Sequence, residues 1–338
     1  MNILIKDIQS NAGRRVGIVG TGSYLPEKVL TNNELAKIVD TSDEWITTRT
    51  GIKERHIAAE NEASSDMGQK AAKKALESAG VSASEIELII VASVTPDMPF
   101  PSTACFIQNS LGAKNAFCFD IQAACSGFIY GLEVARQFVA SNSVNTALVI
   151  GTEKLSAITD WSDRSTCVLF GDAAGAAVVK AVESSRGIIA SSMFSDGSLH
   201  ELLNLPGGGS RNPTSLFTIQ NKMHYLKMAG KEVFKYAVNA MIEAASSVLE
   251  KAKVKVSEIK CVIPHQANMR IIQSISEKLK IPLEKFYINL HRCGNTSAAS
   301  IPVALDEAIR AGKILKNDLV LMVAFGGGFT WGATLIEW

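Results

Sequence analysis

The sequence predicts an α/β protein made of two similar halves, each a sheet covered by helices on both faces. Two observations carry this. The first is an internal repeat at an offset of 173 residues: nine of the sixteen positions from Ala71 to Ile86 meet identical residues between Ala244 and Ile259. The second is a set of continuously apolar runs, "LIIVAS", "ALVIGT", "CVIPH" and "LVLMVAFG". Runs without polar alternation suit strands buried on both faces.

Each copy of the repeat reads as a helix, a short turn and an apolar strand. The register continues downstream, where Leu132-Glu133 meets Leu305-Asp306 and "LVIG" from Leu148 meets "LMVA" from Leu321. The helix "CSGFIYGLEVARQFVAS", starting at Cys125, has its counterpart around "SAASIPVALDEAIRAG". The expected architecture is layered, α-β-α-β-α, with two pseudo-symmetric halves over 14–185 and 186–338. Residues 1–13 read as a loose extension.

Composition narrows the functional classes. The chain has 338 residues, 47% hydrophobic and 20% charged, with a net charge of +1. No whole-chain field draws it to nucleic acid or a membrane surface. No apolar run approaches the ~20 residues that span a bilayer. Six cysteines lie scattered without CxxC spacing, which argues against a zinc site and against a disulfide framework. The start "MNILIKDIQSNAGRR" lacks the features of a secretion signal. We therefore expect reduced thiols, a cytoplasmic protein and no metal.

Four segments carry chemistry. "DIQAACSGF" places Cys125 among small residues at a helix start, where a dipole and free amides favour a thiolate. "VIPHQANMR" places His265 directly after a strand, and "LHRCGNTSAAS" places Asn295 in a turn before a helix. "AFGGGFTWG" places three glycines after the last strand but one. Such edges are where ligands bind in α/β layers. Each feature alone has a bland reading: core-filling cysteine, structural histidine, capping asparagine, flexible turn. Together they form a Cys-His-Asn set. "VGIVGTGSYLP" is not a dinucleotide loop, because the order is GxxGxG and Pro26 follows where a helix should start.

The stretches "TSDEWITTRTGIKER", "DIQAACSGF", "DRSTCVLFGDAAGAA", "MAGKEVF", "PHQANMRII", "GNTSAASIP" and "FGGGFTWG" resemble the thiolase-like condensing enzymes, specifically the β-ketoacyl-acyl-carrier-protein synthase III family. The match runs from about Val16 to Trp338. Ala173 and Ser165 stand where the family commonly has glycine.

This resemblance implies the thiolase-like duplicated fold and a decarboxylative Claisen condensation of a short acyl-CoA with malonyl-acyl carrier protein. It makes Cys125 the acyl-accepting nucleophile. His265 and Asn295 become the donors to the enolate oxygen, and the backbone amides of Cys125 and Gly327 the oxyanion hole. It gives Trp45 and Arg164 as a sandwich around the adenine of CoA, with Arg49 on phosphate and Thr41 nearby. Phe234, Ala267 and Asn268 would line the pantetheine tunnel, while Phe100 and Phe325 would shape the acyl pocket. Lys235, Arg270 and Lys278 are expected to meet the acidic carrier protein. A homodimer is expected, with no cofactor. Cys293, two residues before Asn295, reads as structural. Two alternatives stand beside this: a related acyltransferase of secondary metabolism making a quinolone, ketone or ester, and a non-catalytic partner subunit. The intact Cys-His-Asn set argues against the second.

Overall fold

The structure is a computed structural model and describes residues 14–183 and 186–338. The expected extension 1–13 and the expected boundary at residue 185 lie outside the described residues. The first sheet contains β1 (Val16–Tyr24), β2 (Leu88–Ala92), β3 (Phe117–Ile121), β4 (Thr146–Glu153) and β5 (Ala173–Ala181), in the order β1-β5-β4-β2-β3. The second contains β6 (Gly187–Ser195), β7 (Cys261–Pro264), β8 (Leu319–Gly326) and β9 (Thr330–Glu337), in the order β6-β9-β8-β7. The four strands of the second sheet correspond in order to β1, β5, β4 and β2 of the first, and β3 is an additional edge strand. In both sheets one matching pair is parallel (β2 with β4, β7 with β8) and the other matching pairs are antiparallel. The duplication read in the sequence is therefore present as a duplicated topology.

Helices α1 (Asp43–Thr50), α2 (Ser64–Ala79), α3 (Thr103–Leu111), α4 (Gly127–Ala140), α5 (Gly230–Ala252), α6 (Met269–Leu279) and α7 (Ser300–Arg310) complete the frame. Phe128, Ile129, Leu132 and Ala135 of α4 share one core with Ile301, Ala304, Leu305 and Ala308 of α7. The same core holds Ile90, Ala147 and Val149 of the first sheet and Ile263, Val320 and Met322 of the second. So α4 and α7 form the middle layer. Residues of opposite parity, such as Ile89, Leu148 and Ile150, pack against α2 and α3 on the outside. Leu321, Val323 and Leu335 pack against α5 and α6. The five layers follow from this alternation: every central strand is apolar on both sides because both sides are covered.

The middle layer brings the halves into backbone contact. A Cβ at Gly151, on β4, would lie 2.3 Å from the Ala298 carbonyl oxygen just before α7. Only glycine allows that approach. We predict that Gly151→Ala lowers stability by roughly 1–3 kcal/mol through overpacking, read as a shifted midpoint in denaturant unfolding. An unchanged midpoint would show that the halves can separate slightly at no cost.

Candidate active site

The chain leaves β3 and enters a short 3-10 turn, Ala124–Ser126, which runs into α4. Ala124 adopts φ 45°, a left-handed conformation that costs a residue with a Cβ. The repeat places the turn Ser297–Ala299 at the matching point of the other half, and there Ser297 has φ 46°. The two turns pack against each other in the middle layer. The third component is Gly326, at the end of β8. A Cβ there would stand 2.6 Å from the Cys125 backbone nitrogen and 3.1 Å from the Ala124 Cβ. Thr330 Oγ1 donates to the Ala123 carbonyl at 2.7 Å, and Ser126 Oγ donates to the Thr330 carbonyl at 3.0 Å. Cys125 is thus clamped between its own helix and the glycine turn of the second half.

His265 follows β7, and its N–H donates to the Val323 carbonyl of β8 at 2.8 Å. Its Nδ1 is 2.7 Å from Ser300 Oγ, the first residue of α7. Only 3% of the residue is exposed, and burial pushes its pKa down to about 3. The imidazole is neutral, with Nδ1 engaged and Nε2 left for a substrate. Asn295 is held by its backbone: its N–H donates to the Leu169 carbonyl at 2.8 Å and its carbonyl accepts from Gly171 at 3.0 Å. Its Oδ1 accepts from the Ser297 N–H at 2.9 Å, which fixes the orientation of the side-chain amide. The structure therefore gathers Cys125, His265 and Asn295 around one junction.

The electrostatics correct one expectation. The helix start was expected to favour the Cys125 thiolate. Instead, the thiol is pushed up to about 12, chiefly by desolvation, with the Ser297 hydroxyl lowering it and the nearby Glu153 charge raising it. Cys125 rests as a thiol because desolvation of the anion outweighs the helix end. Glu153 is itself fully buried, and burial lifts its carboxyl to about 7. Its Oε2 accepts from Thr95 Oγ1 at 2.7 Å and from the Val94 N–H at 3.1 Å. Cys293 is buried, and burial pushes its thiol to about 12, as befits packing.

A second cluster lies at the surface. The Arg49 guanidinium carbon sits 4.6 Å from the Trp45 ring centroid, and that of Arg164 sits 5.0 Å from it. An open cavity of about 470 Å³ is lined by Ser42, Glu44, Trp45, Thr48, Arg49 and Arg270. The expected adenine sandwich is not preformed. A ring inserted between two faces needs roughly 7 Å between them, so Arg164 must swing away from Trp45 to admit one. The Thr41 hydroxyl, just before α1, is buried without a partner.

Asn268 caps α6, accepting from the Arg270 N–H at 2.9 Å, and donates to the Arg49 carbonyl at 3.2 Å. Phe234 and Ala267 are half-buried against the second core, where Phe325 meets Phe329 edge-on at 4.7 Å between centroids. Gly327 packs against the Leu203 carbonyl, at the base of the irregular 205–215 segment. Lys235 and Lys278 are exposed on α5 and α6, while Arg270 also donates to the Thr48 carbonyl at 3.2 Å. Phe100 is 83% exposed. Sequence reasoning missed Gly326, Ser300 and Glu153. The repeat offset would have paired Glu153 with Gly326, but it carries no hint that both border the cysteine.

A duplicated five-layer fold with cysteine, histidine and asparagine at the junction of its halves defines a thiolase-like condensing enzyme. Two family models match: 3-oxoacyl-[acyl-carrier-protein (ACP)] synthase III over residues 119–197, and its C-terminal model over 249–338. The chain is 56% identical to a β-ketoacyl-[acyl-carrier-protein] synthase III of Caldanaerobacter subterraneus, covering 95% of this chain and 97% of that protein. A namesake from Aquifex aeolicus is 55% identical over 95% of this chain and 99% of that protein. The crystal structure of the 3-oxoacyl-[acyl-carrier-protein] synthase III of Aquifex aeolicus superposes with a TM-score of 0.89 at 54% identity, covering 96% of this chain and 100% of that one. The chain belongs to the β-ketoacyl-[acyl-carrier-protein] synthase III family and is an acyltransferase of the condensing type. A structure of OleA from Xanthomonas campestris, 19% identical with a TM-score of 0.84 and covering 96% of this chain and 99% of that one, shares the fold.

We predict that Gly326→Ala displaces the Cys125 amide and lowers acyl transfer by roughly 10²–10³, the scale of losing one oxyanion donor. Overpacking should also cost roughly 1–3 kcal/mol of stability, which leaves the enzyme folded and does not account for a rate loss of that size. Wild-type acylation in this variant would show that the close approach has no catalytic role.

Proposed function

We propose that the chain condenses a short acyl-CoA, acetyl-CoA foremost, with malonyl-acyl carrier protein to give β-ketoacyl-acyl carrier protein, CoA and CO2. The observation that carries the assignment of roles is the buried, neutral His265, held by Ser300 of the helix that Asn295 precedes, with the Asn295 Oδ1 already accepting from Ser297. In the first half-reaction Cys125 Sγ attacks the thioester carbonyl carbon. The bond to the CoA sulfur breaks, and the thiol proton ends on CoA. The amides of Cys125 and Gly327 hold the oxyanion. Pushing a thiol out of its protonated resting form costs free energy, so attack depends on this preorganised hole.

In the second half-reaction the malonyl thioester loses CO2 and its electrons pass to an enolate. His265 Nε2–H and the Asn295 amide donate to the enolate oxygen. That requires the tautomer in which Ser300 Oγ–H donates to Nδ1, and a hydroxyl can supply this. The carbanion then attacks the acyl-Cys125 carbonyl, the carbon–sulfur bond breaks, and the released thiolate takes a proton from solvent to restore the thiol. All steps draw on side chains and backbone amides of this chain, so the reading calls for no cofactor.

Trp45, Arg49, Arg164 and Thr41 would take the CoA nucleotide, with Phe234, Ala267 and Asn268 along its pantetheine arm. Lys235, Arg270 and Lys278 would meet the acidic carrier protein. The protein would work as a homodimer: β3 is an edge strand, Phe117 on it is half-exposed, and Phe100 projects where a partner could cover it. Phe325 and the partner's covering contact would then bound the acyl pocket. We place it in the cytoplasm, since all six cysteines are free, including Cys105 and Cys118 with sulfurs 3.6 Å apart. The halves 14–185 and 186–338 would be the units of the ancestral duplication.

The test uses radiolabelled acetyl-CoA with malonyl-acyl carrier protein. Wild type should form labelled enzyme and labelled ketoacyl product. Cys125→Ala should lose the label, whereas Asn295→Ala should keep it and lose the product by at least ~10². Equal loss of label in both variants would overturn the division of roles.

A further inference from the structure

Arg55 is completely buried, yet among the described residues no carboxylate forms an ion pair with it. Its NH1 donates to Asn32 Oδ1 at 2.8 Å and to the Leu30 carbonyl at 3.1 Å, and its NH2 donates to the Val168 carbonyl at 2.8 Å. Nε has no partner. Burial lowers its pKa only to about 10, so the cation persists at neutral pH. A buried cation held by neutral acceptors is a poor stabilising device. Its position suggests another use.

Asn32, 1% exposed, extends the chain of contacts. Its Nδ2 donates to Asp43 Oδ1 at 2.9 Å and to the Ile52 carbonyl at 2.8 Å. Asp43 is the first residue of α1, the helix that carries Trp45 and Arg49. Val168 caps the short helix Arg164–Cys167. One guanidinium and one amide therefore tie together the two elements whose side chains stack on Trp45. Helix α1 needs such a tie. Only Ile46 and Thr50 are buried along its eight residues, so apolar packing sets its angle weakly.

We infer that Arg55, acting through Asn32 and Asp43 on one side and Val168 on the other, is the positioning residue that sets Trp45 and Arg49 against Arg164 for the CoA nucleotide. This rests on reading that cluster as the nucleotide contact. Arg55 touches no substrate; it acts by fixing the spacing of groups that do.

The experiment compares two primers, acetyl-CoA and acetyl-N-acetylcysteamine, which lacks the nucleotide, in Arg55→Gln, Asp43→Ala and Trp45→Ala. Asp43 is exposed, so that variant cuts the tie without disturbing the core. We expect Arg55→Gln and Asp43→Ala to raise the KM for acetyl-CoA about tenfold and threefold, with kcat within twofold. Kinetics with acetyl-N-acetylcysteamine should be unchanged, and Arg55→Lys should recover part of the loss. Trp45→Ala separates the two levels. If it raises the KM for acetyl-CoA while Asp43→Ala and Arg55→Gln do not, the positioning role is wrong and the nucleotide site stands. If Trp45→Ala has no effect, the nucleotide site itself is wrong. Equal losses on both primers in a folded Arg55→Gln would make Arg55 a general structural residue and overturn the inference. Should Arg55→Gln fail to fold, Asp43→Ala decides alone.

Discussion

The contact between two short turns, 124–126 from one half and 297–299 from the other, is the constraint on which the rest depends. Each turn opens a central helix, and each contains a non-glycine residue in the left-handed region. Neither would hold that conformation alone. The opposing turn, the Gly151 approach to Ala298 and the Gly326 approach to Cys125 hold both in place. Cys125 comes from one copy of the duplication, while His265 and Asn295 come from the other. Duplication thus supplied symmetry, and divergence at matching positions supplied chemistry: Cys125 in one copy corresponds to Ala298 in the other.

Desolvation acts in opposite directions on two groups of the junction, and both effects serve the proposed reaction. Desolvation disfavours charge of either sign. It holds His265 neutral, so that a single N–H can be offered to a developing oxyanion without first losing a proton. It also keeps Cys125 protonated, so the thiolate forms only as attack proceeds. Near Cys125, Glu153 stands with its own carboxyl lifted towards neutrality. A dry junction with polarised donors suits a step that creates an anion and releases a neutral gas.

Much of this was legible in the sequence. Apolar runs without alternation marked covered strands, and the repeat announced two halves. Cys125, His265 and Asn295 were legible because each sits in a distinctive turn at a strand or helix end. What stayed hidden required distance in sequence to become proximity in space. Gly326 matters because of a backbone nitrogen about two hundred positions upstream, and Ser300 because of a histidine thirty-five positions away. The thiol's resting state was misread because a helix start is visible in a sequence and the depth of burial is not. The closed stack of Arg164 on Trp45 was missed for a similar reason, since rotamers answer to local packing.

The central claim is that a neutral, buried His265 carries the enolate step. It is tested most directly by the pH dependence of malonyl-acyl carrier protein decarboxylation in Cys125→Ala, where acyl transfer cannot contribute. With the folded pKa lowered to about 3, the imidazole stays neutral throughout pH 5 to 8, so with Glu153, whose carboxyl is lifted to about 7, also replaced by Gln the rate should be flat across that range. An acid limb with a midpoint near 6.5, the ordinary histidine value, in that double variant would contradict the account.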